Sequence, residues 1–222
     1  MRNLPYFAIF YVGIFIVSCS DSKDTYISYD KNSAVINYGI TKLSEQLKRT
    51  GYDIYDNPKS GFSGSEIYII SDESKSSVIT QQIYLDNVKE VQQDGYKIIN
   101  KDKKIYIIGK EERGCLYGMI DLIEQLRLNP DIHEIEERHV NPALSFRAVK
   151  FNLPWAPYRP GPATDIHIET CRDLTFWESF LDMMVENRLN VLSLWSTHLF
   201  PYLIKAKNYP KATSFTDVEL ND

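Results

Sequence analysis

The chain has 222 residues and a formal net charge of −5 at pH 7, with 43% hydrophobic residues. The acidic balance argues against a nucleic-acid partner, because proteins that bind nucleic acids favour basic patches. The apolar content is ample for a globular domain, and tyrosine is unusually frequent, at 15 residues.

The first 18 residues have the three parts of an export signal. Arg2 supplies the positive charge, residues 4–17 are almost wholly apolar, and residues 16–19 (Ile-Val-Ser-Cys) match the lipobox of bacterial lipoproteins. A transmembrane helix needs about 20 apolar residues, and shorter runs with these flanks are typical of signals. We therefore predict a signal peptide over residues 1–18 and a lipid on Cys19, with a cleaved signal of a soluble protein as the alternative.

Residues 19–32 are polar, and we predict that they form a flexible tether between the lipid and the first domain. Asp21 and Asp24 resemble the surface-export signals of some Bacteroidota lipoproteins. The expected location is outside the cytoplasm, lipid-anchored to the outer membrane or the cell surface. The lipid on Cys19 would make the membrane a partner of the protein.

Residues 33–138 have the pattern of an α+β domain. In chain order we predict a helix over 35–47, a strand over 66–70, a β-hairpin of strands 96–100 and 104–108, and an amphipathic helix over 112–127. About 100 residues is a typical size for a small domain.

Residues 142–222 have the pattern of a βαβ unit. A strand is expected over 145–153, a helix begins at a capping box formed by Thr175 and Glu178, and an apolar strand follows over 190–195. Apolar strands separated by a helix are typical of a parallel sheet. Residues 215–222 carry no mark of a domain end, so we expect a truncated gene product or fragment.

Two stretches of the first region resemble the N-terminal accessory domain of family 20 β-N-acetylhexosaminidases and family 67 α-glucuronidases. They are Asp94-Gly95-Tyr96, which opens the hairpin, and residues 114–126, which contain Gly114 and Tyr117-Gly118. In those enzymes the accessory domain precedes a (β/α)8 catalytic barrel. The resemblance implies that residues 142–222 are the incomplete start of such a barrel, with only its first βαβ unit.

The second region also carries parts of this resemblance. Residues 142–147 are similar to the opening of the first barrel strand, and Arg147 corresponds to an arginine that contacts the sugar. Arg188-Leu189-Asn190 is similar to the opening of the second strand. Family 20 enzymes have histidines and an aspartate after the asparagine, whereas this chain has Ser193, Trp195 and His198. The departure suggests a related but distinct group of glycosidases.

Active sites of (β/α)8 barrels lie at the C-terminal ends of the strands. The first strand brings Asn152 and Trp155 to this end, and the second brings Trp195 and His198. An indole that stacks on a sugar, with polar groups for the hydroxyls, predicts an oligosaccharide-binding site. The alternatives are packing roles for both tryptophans, a structural role for His198 and an ion pair for Arg147.

Glycosidic cleavage usually needs two carboxyl groups, and we predict no catalytic residue in this chain. Asp173, Glu178, Asp182 and Glu186 fall in the first helix region, on the outside of a barrel. We therefore expect the inactive N-terminal part of an exported glycoside hydrolase that acts on glycan oligosaccharides. The alternative is a non-catalytic carbohydrate-binding surface lipoprotein, and a structural or adhesin module has little support.

The cysteine and histidine spacing suggests no metal site, and no cofactor is expected. Cys115 and Cys171 could pair in an oxidising compartment. Because they fall in different predicted domains, we expect two buried free thiols.

Overall fold

The computed structural model describes residues 23–55, 61–71, 78–154 and 160–195, together with isolated positions beyond residue 206. The segment up to residue 140 contains β1 (Asp24–Ser28), α1 (Ala34–Arg49), β2 (Asp53–Tyr55), β3 (Ser65–Ile70), α2 (Val78–Asn87), β4 (Tyr96–Lys101), β5 (Lys104–Gly109), α3 (Glu112–Leu128) and β6 (Arg138–Val140). The segment that follows contains β7 (Ala148–Asn152), α4 (Pro162–Arg172), α5 (Leu174–Glu186) and β8 (Val191–Trp195).

Six strands form one mixed sheet in the order β2-β1-β3-β5-β4-β6. The pairs β1–β2, β1–β3 and β3–β5 are parallel, whereas β4 runs antiparallel to both β5 and β6. Apolar residues of α1 and α3 join those of the strands in the main core on one face. On the other face α2 covers a smaller cluster around Ile70, Tyr84 and Ile108. The fold is therefore mixed α/β, with a sheet in which parallel pairs predominate.

The predicted helix, strand, hairpin and second helix are all present, as α1, β3, β4–β5 and α3. Ser33 begins α1, because its side-chain oxygen accepts the backbone N–H of Ile36 at 3.1 Å. The hairpin turns at Asp102 and Lys103, which both have positive φ (53° and 62°), as a type I′ turn requires.

The tether predicted over residues 19–32 is wrong for residues 24–28, which form β1. This strand lies inside the sheet between β2 and β3, with Thr25 0% and Ile27 5% exposed. Two buried positions are too few for an alternating pattern to be recognised in the sequence. The sheet extends from residue 24 to residue 140, beyond the predicted limits of 33–138 at both ends.

Glycines allow α3 to lie directly on the sheet. A Cβ at Gly114 would be 2.2 Å from the carbonyl oxygen of Gly95, and one at Gly118 would be 2.5 Å from Cγ2 of Ile107. Side chains at these positions would push the helix away from β4 and β5. Gly114 and Gly118, on which the family resemblance partly rests, thus have a packing role in this chain.

β7 and β8 form a separate two-stranded parallel sheet, as predicted for a βαβ unit. Phe151 of β7 packs against the aromatic rings of Phe176, Trp177 and Phe180 on α5, with centroids 5.0–5.9 Å apart. The predicted capping box is wrong, because the side chain of Asp173 accepts the N–H of Thr175 and the helix begins at Leu174. Aspartate is among the most favourable N-cap residues. α4, which precedes α5, was not predicted from the sequence.

Both cysteines in the described residues are free. Cys115 is buried, and burial raises the pKa of its thiol to about 12. Cys171 is only partly buried, so the prediction of two buried thiols is wrong for this residue. No helix in the described part of the chain is long and apolar enough to cross a membrane.

Candidate functional site

A buried carboxylate lies where the two sheets meet. The side chain of Asp94 is 3% exposed. Its Oδ1 accepts a hydrogen bond from Arg113 Nε. Its Oδ2 accepts from Arg147 Nη2 and Asn190 Nδ2, both at 2.8 Å. We call these four residues, Asp94, Arg113, Arg147 and Asn190, the Asp94 clamp.

Arg147 immediately precedes β7, and protein acceptors occupy its guanidinium. Besides Asp94, it donates from Nε to the carbonyl oxygen of Arg188 at 2.6 Å and from Nη1 to that of Leu144 at 2.7 Å. Its guanidinium carbon lies 5.6 Å from the centroid of the Tyr117 ring, a cation–π contact. These contacts favour the ion-pair interpretation of Arg147, and its role as a sugar contact stays a prediction.

Asn190 immediately precedes β8 and joins the starts of the two strands. Its Nδ2 also donates to the carbonyl oxygen of Ser145 at 2.8 Å, and its Oδ1 accepts the backbone N–H of Arg147 at 2.9 Å. The clamp therefore fixes the N-terminal ends of β7 and β8 to each other and to the larger sheet.

The Asp94 carboxylate keeps its charge in this position. Burial alone would raise the pKa of the carboxyl, but hydrogen bonds from Arg113, Arg147 and Asn190 outweigh burial and hold the pKa below its usual value. A carboxylate that stays ionised in this way holds cations in place and is unsuited to donating a proton near neutral pH.

A second set of polar contacts joins α5 and the turn after it to α1 and α3. Arg188 donates to both oxygens of Glu124, at 3.1 and 2.7 Å. Asp182 accepts from the hydroxyl of Tyr38 at 2.6 Å and also pairs with Lys42. These contacts border a cavity of about 350 Å³ lined by both cations and carboxylates.

Three of the four carboxylates in the helix region have structural partners. Asp173 caps α5, Asp182 bonds Tyr38, and Glu186 lies 3.9 Å from Arg127. Their contacts stabilise the fold, and Glu178 lies on the exposed side of α5.

The opposite ends of β7 and β8 carry polar and aromatic side chains on one face. Asn152 pairs in register with Trp195, and Lys150 pairs with Ser193. Since partners in a parallel sheet point to the same side and alternate residues point to opposite sides, these four share the face that Phe151 leaves free. We call Lys150, Asn152, Ser193 and Trp195 the strand-end face.

Trp195 is the largest side chain on the strand-end face and is 48% exposed. The ammonium group of Lys150 lies 4.8 Å from its ring centroid. The indole offers a flat apolar surface, and the neighbouring amide, hydroxyl and ammonium groups offer hydrogen bonds. Small-molecule sites combine these features, and a sugar ring with its hydroxyl groups fits them.

The structure brings two of the predicted site residues together, Asn152 and Trp195. Arg147 lies at the other end of β7, roughly 16 Å away at about 3.3 Å per residue. Trp155 and His198, like Cys19, lie outside the described residues. Lys150 was not predicted as a site residue, although the two-residue period of β7 places it on the same face as Asn152.

The described residues contain no group of three or more histidine, cysteine, aspartate or glutamate side chains that could hold a metal ion.

No protein-family model matches the chain, and no curated protein matches it. The chain does match solved structures. A family GH138 enzyme targeting pectin rhamnogalacturonan II is 23% identical, with a TM-score of 0.67 over 89% of this chain and 28% of that chain. A family GH115 4-O-methyl-α-glucuronidase with specificity for decorated arabinogalactans is 15% identical, with a TM-score of 0.53 over 79% of this chain and 25% of that one.

A third similar structure, of family GH84, is 14% identical, with a TM-score of 0.50 over 82% of this chain and 29% of that one. The chain thus spans between a quarter and a third of the length of the structures that it resembles. At these identities the likeness concerns the fold, and it shows that this chain has a glycoside hydrolase-like fold.

The Asp94 clamp predicts an acid-sensitive contribution to stability. Asparagine tolerates the positive φ of 60° at this position, so Asp94→Asn removes the charge and keeps the backbone. We expect the free energy of unfolding of the β7–α5–β8 unit at pH 7 to fall by ~3 kcal/mol, near the low end for breaking a buried ion pair, because Arg113 is partly in solvent. Urea unfolding of both proteins between pH 7 and pH 3 measures the effect.

Because the pKa of Asp94 is lowered on folding, its contribution is complete above the pKa of about 3.9 in the unfolded chain and declines as the pH falls below it. The difference in the free energy of unfolding between the unsubstituted chain and Asp94→Asn should therefore become smaller toward pH 3. Asp86→Asn, at an exposed aspartate that accepts from Gln82, is the matched control and should change stability by less than about 0.5 kcal/mol. A difference that is constant over this pH range would contradict the charged clamp.

Proposed function

We propose that this chain is the glycan-recognising N-terminal part of an exported glycoside hydrolase that acts on oligosaccharides. The observation that carries the proposal is the structural likeness to a glycoside hydrolase over 89% of the chain. The strand-end face supports it independently, because an exposed indole beside amide, hydroxyl and ammonium groups suits a sugar. Asn152 and Trp195 lie at the C-terminal ends of two parallel strands. Barrel enzymes have their substrate sites at this end of their strands.

The unit β7–α5–β8 is, in this proposal, the start of a (β/α)8 barrel. Its strands are parallel, and α5 covers one face through Phe151. Large apolar side chains remain exposed within the unit, with Leu181 47% and Trp195 48% exposed. Further strands and helices of a barrel would cover such surface, and uncovered apolar patches mark sites of contact.

The ammonium group of Lys150 points to acidic sugars as the substrate class. A uronate stacked on Trp195 would bring its carboxylate within reach of Lys150, which already lies over the indole. The similar GH115 structure is a glucuronidase and the GH138 enzyme targets a pectin. The resemblance to families 20 and 67 includes glucuronidases as well. We infer that glycans bearing uronic acids are the preferred ligands.

The second candidate is a non-catalytic carbohydrate-binding surface lipoprotein. It is favoured by the composition of the strand-end face, where the four described residues include no carboxylate. In both candidates this 222-residue chain binds glycans without cleaving them. Glycosidase activity of the natural gene product on oligogalacturonides or glucuronide-bearing oligosaccharides, measured as release of reducing ends, distinguishes the first candidate from the second.

We predict that Trp195→Ala lowers the affinity of the chain for oligogalacturonides at least about tenfold. Truncating an aromatic anchor of a binding site costs about 2 kcal/mol or more, and 1.4 kcal/mol corresponds to a factor of ten. Isothermal titration calorimetry of the chain measures the change. Lys150→Gln should reduce the affinity for oligogalacturonides more than that for neutral galacto-oligosaccharides of equal length.

The matched control for Trp195→Ala is Phe146→Ala, which removes an exposed aromatic side chain at the opposite end of β7 and should leave the affinity unchanged. Equal losses in both variants, or no binding by the unsubstituted chain, would count against the strand-end face as the glycan site.

We also propose that Cys19 carries a lipid and anchors the protein to a membrane outside the cytoplasm. The support is the sequence alone, since a basic start and a short apolar run precede the lipobox residues 16–19. In cells fed a labelled fatty acid we expect label in the protein and none in Cys19→Ala. Mass spectrometry of the purified N-terminus is the second measurement, and an unmodified Met1 would show the proposal to be wrong.

A further inference from the structure

Tyrosines occupy the same face of four adjacent strands in the six-stranded sheet. Tyr55 on β2 pairs with Tyr26 on β1, and Tyr68 on β3 pairs with Tyr106 on β5. The register between β1 and β3 places all four on the face opposite α1 and α3. All four are partly exposed. We call these four residues the tyrosine face.

The rings of the tyrosine face contact one another across the strands. Tyr68 and Tyr106 stack with centroids 5.2 Å apart and planes at 16°, and Tyr26 meets Tyr68 edge to face at 6.5 Å. With strands about 4.8 Å apart, four adjacent strands give a platform about 14 Å across. The strand pairing holds this platform rigid, so a ligand that binds it orders few side chains.

The charged groups beside the tyrosines already have partners. Glu66 accepts from the hydroxyl of Tyr68 and lies 3.4 Å from Lys104. Asp24 is hydrogen-bonded to the hydroxyl of Tyr55. Because these charges are paired, the face favours a neutral ligand that offers hydroxyl groups over a charged one.

Helix α2 gives this surface a wall. It packs over Ile70 and Ile108 at the C-terminal ends of β3 and β5, and Tyr68 and Tyr106 lie against the same cluster. The tyrosine face is therefore bordered on one side by α2.

We propose that the tyrosine face is a second carbohydrate-binding surface, which takes a neutral oligosaccharide chain and is separate from the strand-end face. Tyrosine combines an apolar ring with a polar tip and is enriched at recognition surfaces. Sugar rings can lie against the aromatic side chains while their hydroxyl groups bond the phenol and carboxylate oxygens. The surface would hold a neutral part of a glycan while the strand-end face holds an acidic one.

The test is calorimetric titration of the full chain with neutral galacto-oligosaccharides. Tyr106→Ala should lower the affinity at least tenfold, whereas Tyr106→Phe, which keeps the ring, should retain it within about threefold. Tyr209→Ala is the matched control, because it removes an exposed tyrosine outside the face and should have no effect. A loss of affinity in Tyr209→Ala equal to that in Tyr106→Ala would overturn the proposal.

A second measurement uses the unsubstituted chain and does not depend on the folding of a variant. Nitration of tyrosines is followed by peptide mass spectrometry with and without the neutral oligosaccharide. Protection of Tyr26, Tyr68 and Tyr106 is expected, and equal nitration in both samples would overturn the proposal. Sedimentation as a dimer with these tyrosines protected in the absence of sugar would assign the face to a second copy of the chain and also overturn it.

The two proposed binding sites are tested by separate variants and separate ligands, so either proposal can be refuted without the other. Loss of neutral binding in Tyr106→Ala concerns the tyrosine face, and loss of oligogalacturonide binding in Trp195→Ala concerns the strand-end face. The tyrosine face therefore does not depend on the proposed hydrolase function.

Discussion

The Asp94 carboxylate gathers donors from three separate parts of the chain: Arg113 on α3, Arg147 before β7 and Asn190 before β8. Leaving a buried charge unpaired costs about 3–5 kcal/mol, a large share of the about 5–15 kcal/mol by which a domain is usually stable. Asp94 is thus the carboxylate that Arg113 and Arg147 share, and Arg113 also lies 3.9 Å from Glu111. Both β7 and β8 begin at the clamp. The clamp therefore helps to set the relative position of their C-terminal ends, where Asn152 and Trp195 pair.

Local patterns were sufficient to predict much of the fold. α1 and α3 have long apolar stripes, and the β4–β5 hairpin closes on a two-residue turn, so each is encoded by neighbours in sequence. The strands β1, β2 and β6 were missed because they have three to five residues each and depend on partners elsewhere in the chain. α4 was not predicted because Gly161 and Pro162 are residue types typical of turns, although proline is favoured in the first turn of a helix.

The part of the candidate site that lies at the strand ends could be predicted from the sequence. Asn152 and Trp195 were expected together because parallel strands of a βαβ unit bring their C-terminal ends to one edge, and they are paired. The partners of Arg147 could not be predicted, since Asp94 is 53 residues away in sequence and no local pattern connects them. Asp94-Gly95 is part of the family resemblance, but the role of Asp94 follows only from the fold, in which Arg113, Arg147 and Asn190 converge on it. The tyrosine face likewise could not be predicted from the number of tyrosines. Its four residues are adjacent because of the strand order β2-β1-β3-β5.

The Asp94 clamp couples the stability of the β7–β8 unit to that of the larger sheet. Native-state hydrogen exchange of the chain and of Asp94→Asn tests it most directly. In the unsubstituted chain, amides of 105–126 should be the most protected and those of 148–152 and 191–195 less so, because each of these two strands lacks a described partner on its outer edge. In Asp94→Asn we expect exchange in 148–152 and 191–195 to accelerate at least tenfold while 105–126 keep their protection. Unchanged exchange in β7 and β8, or an equal acceleration in both segments, would contradict the account.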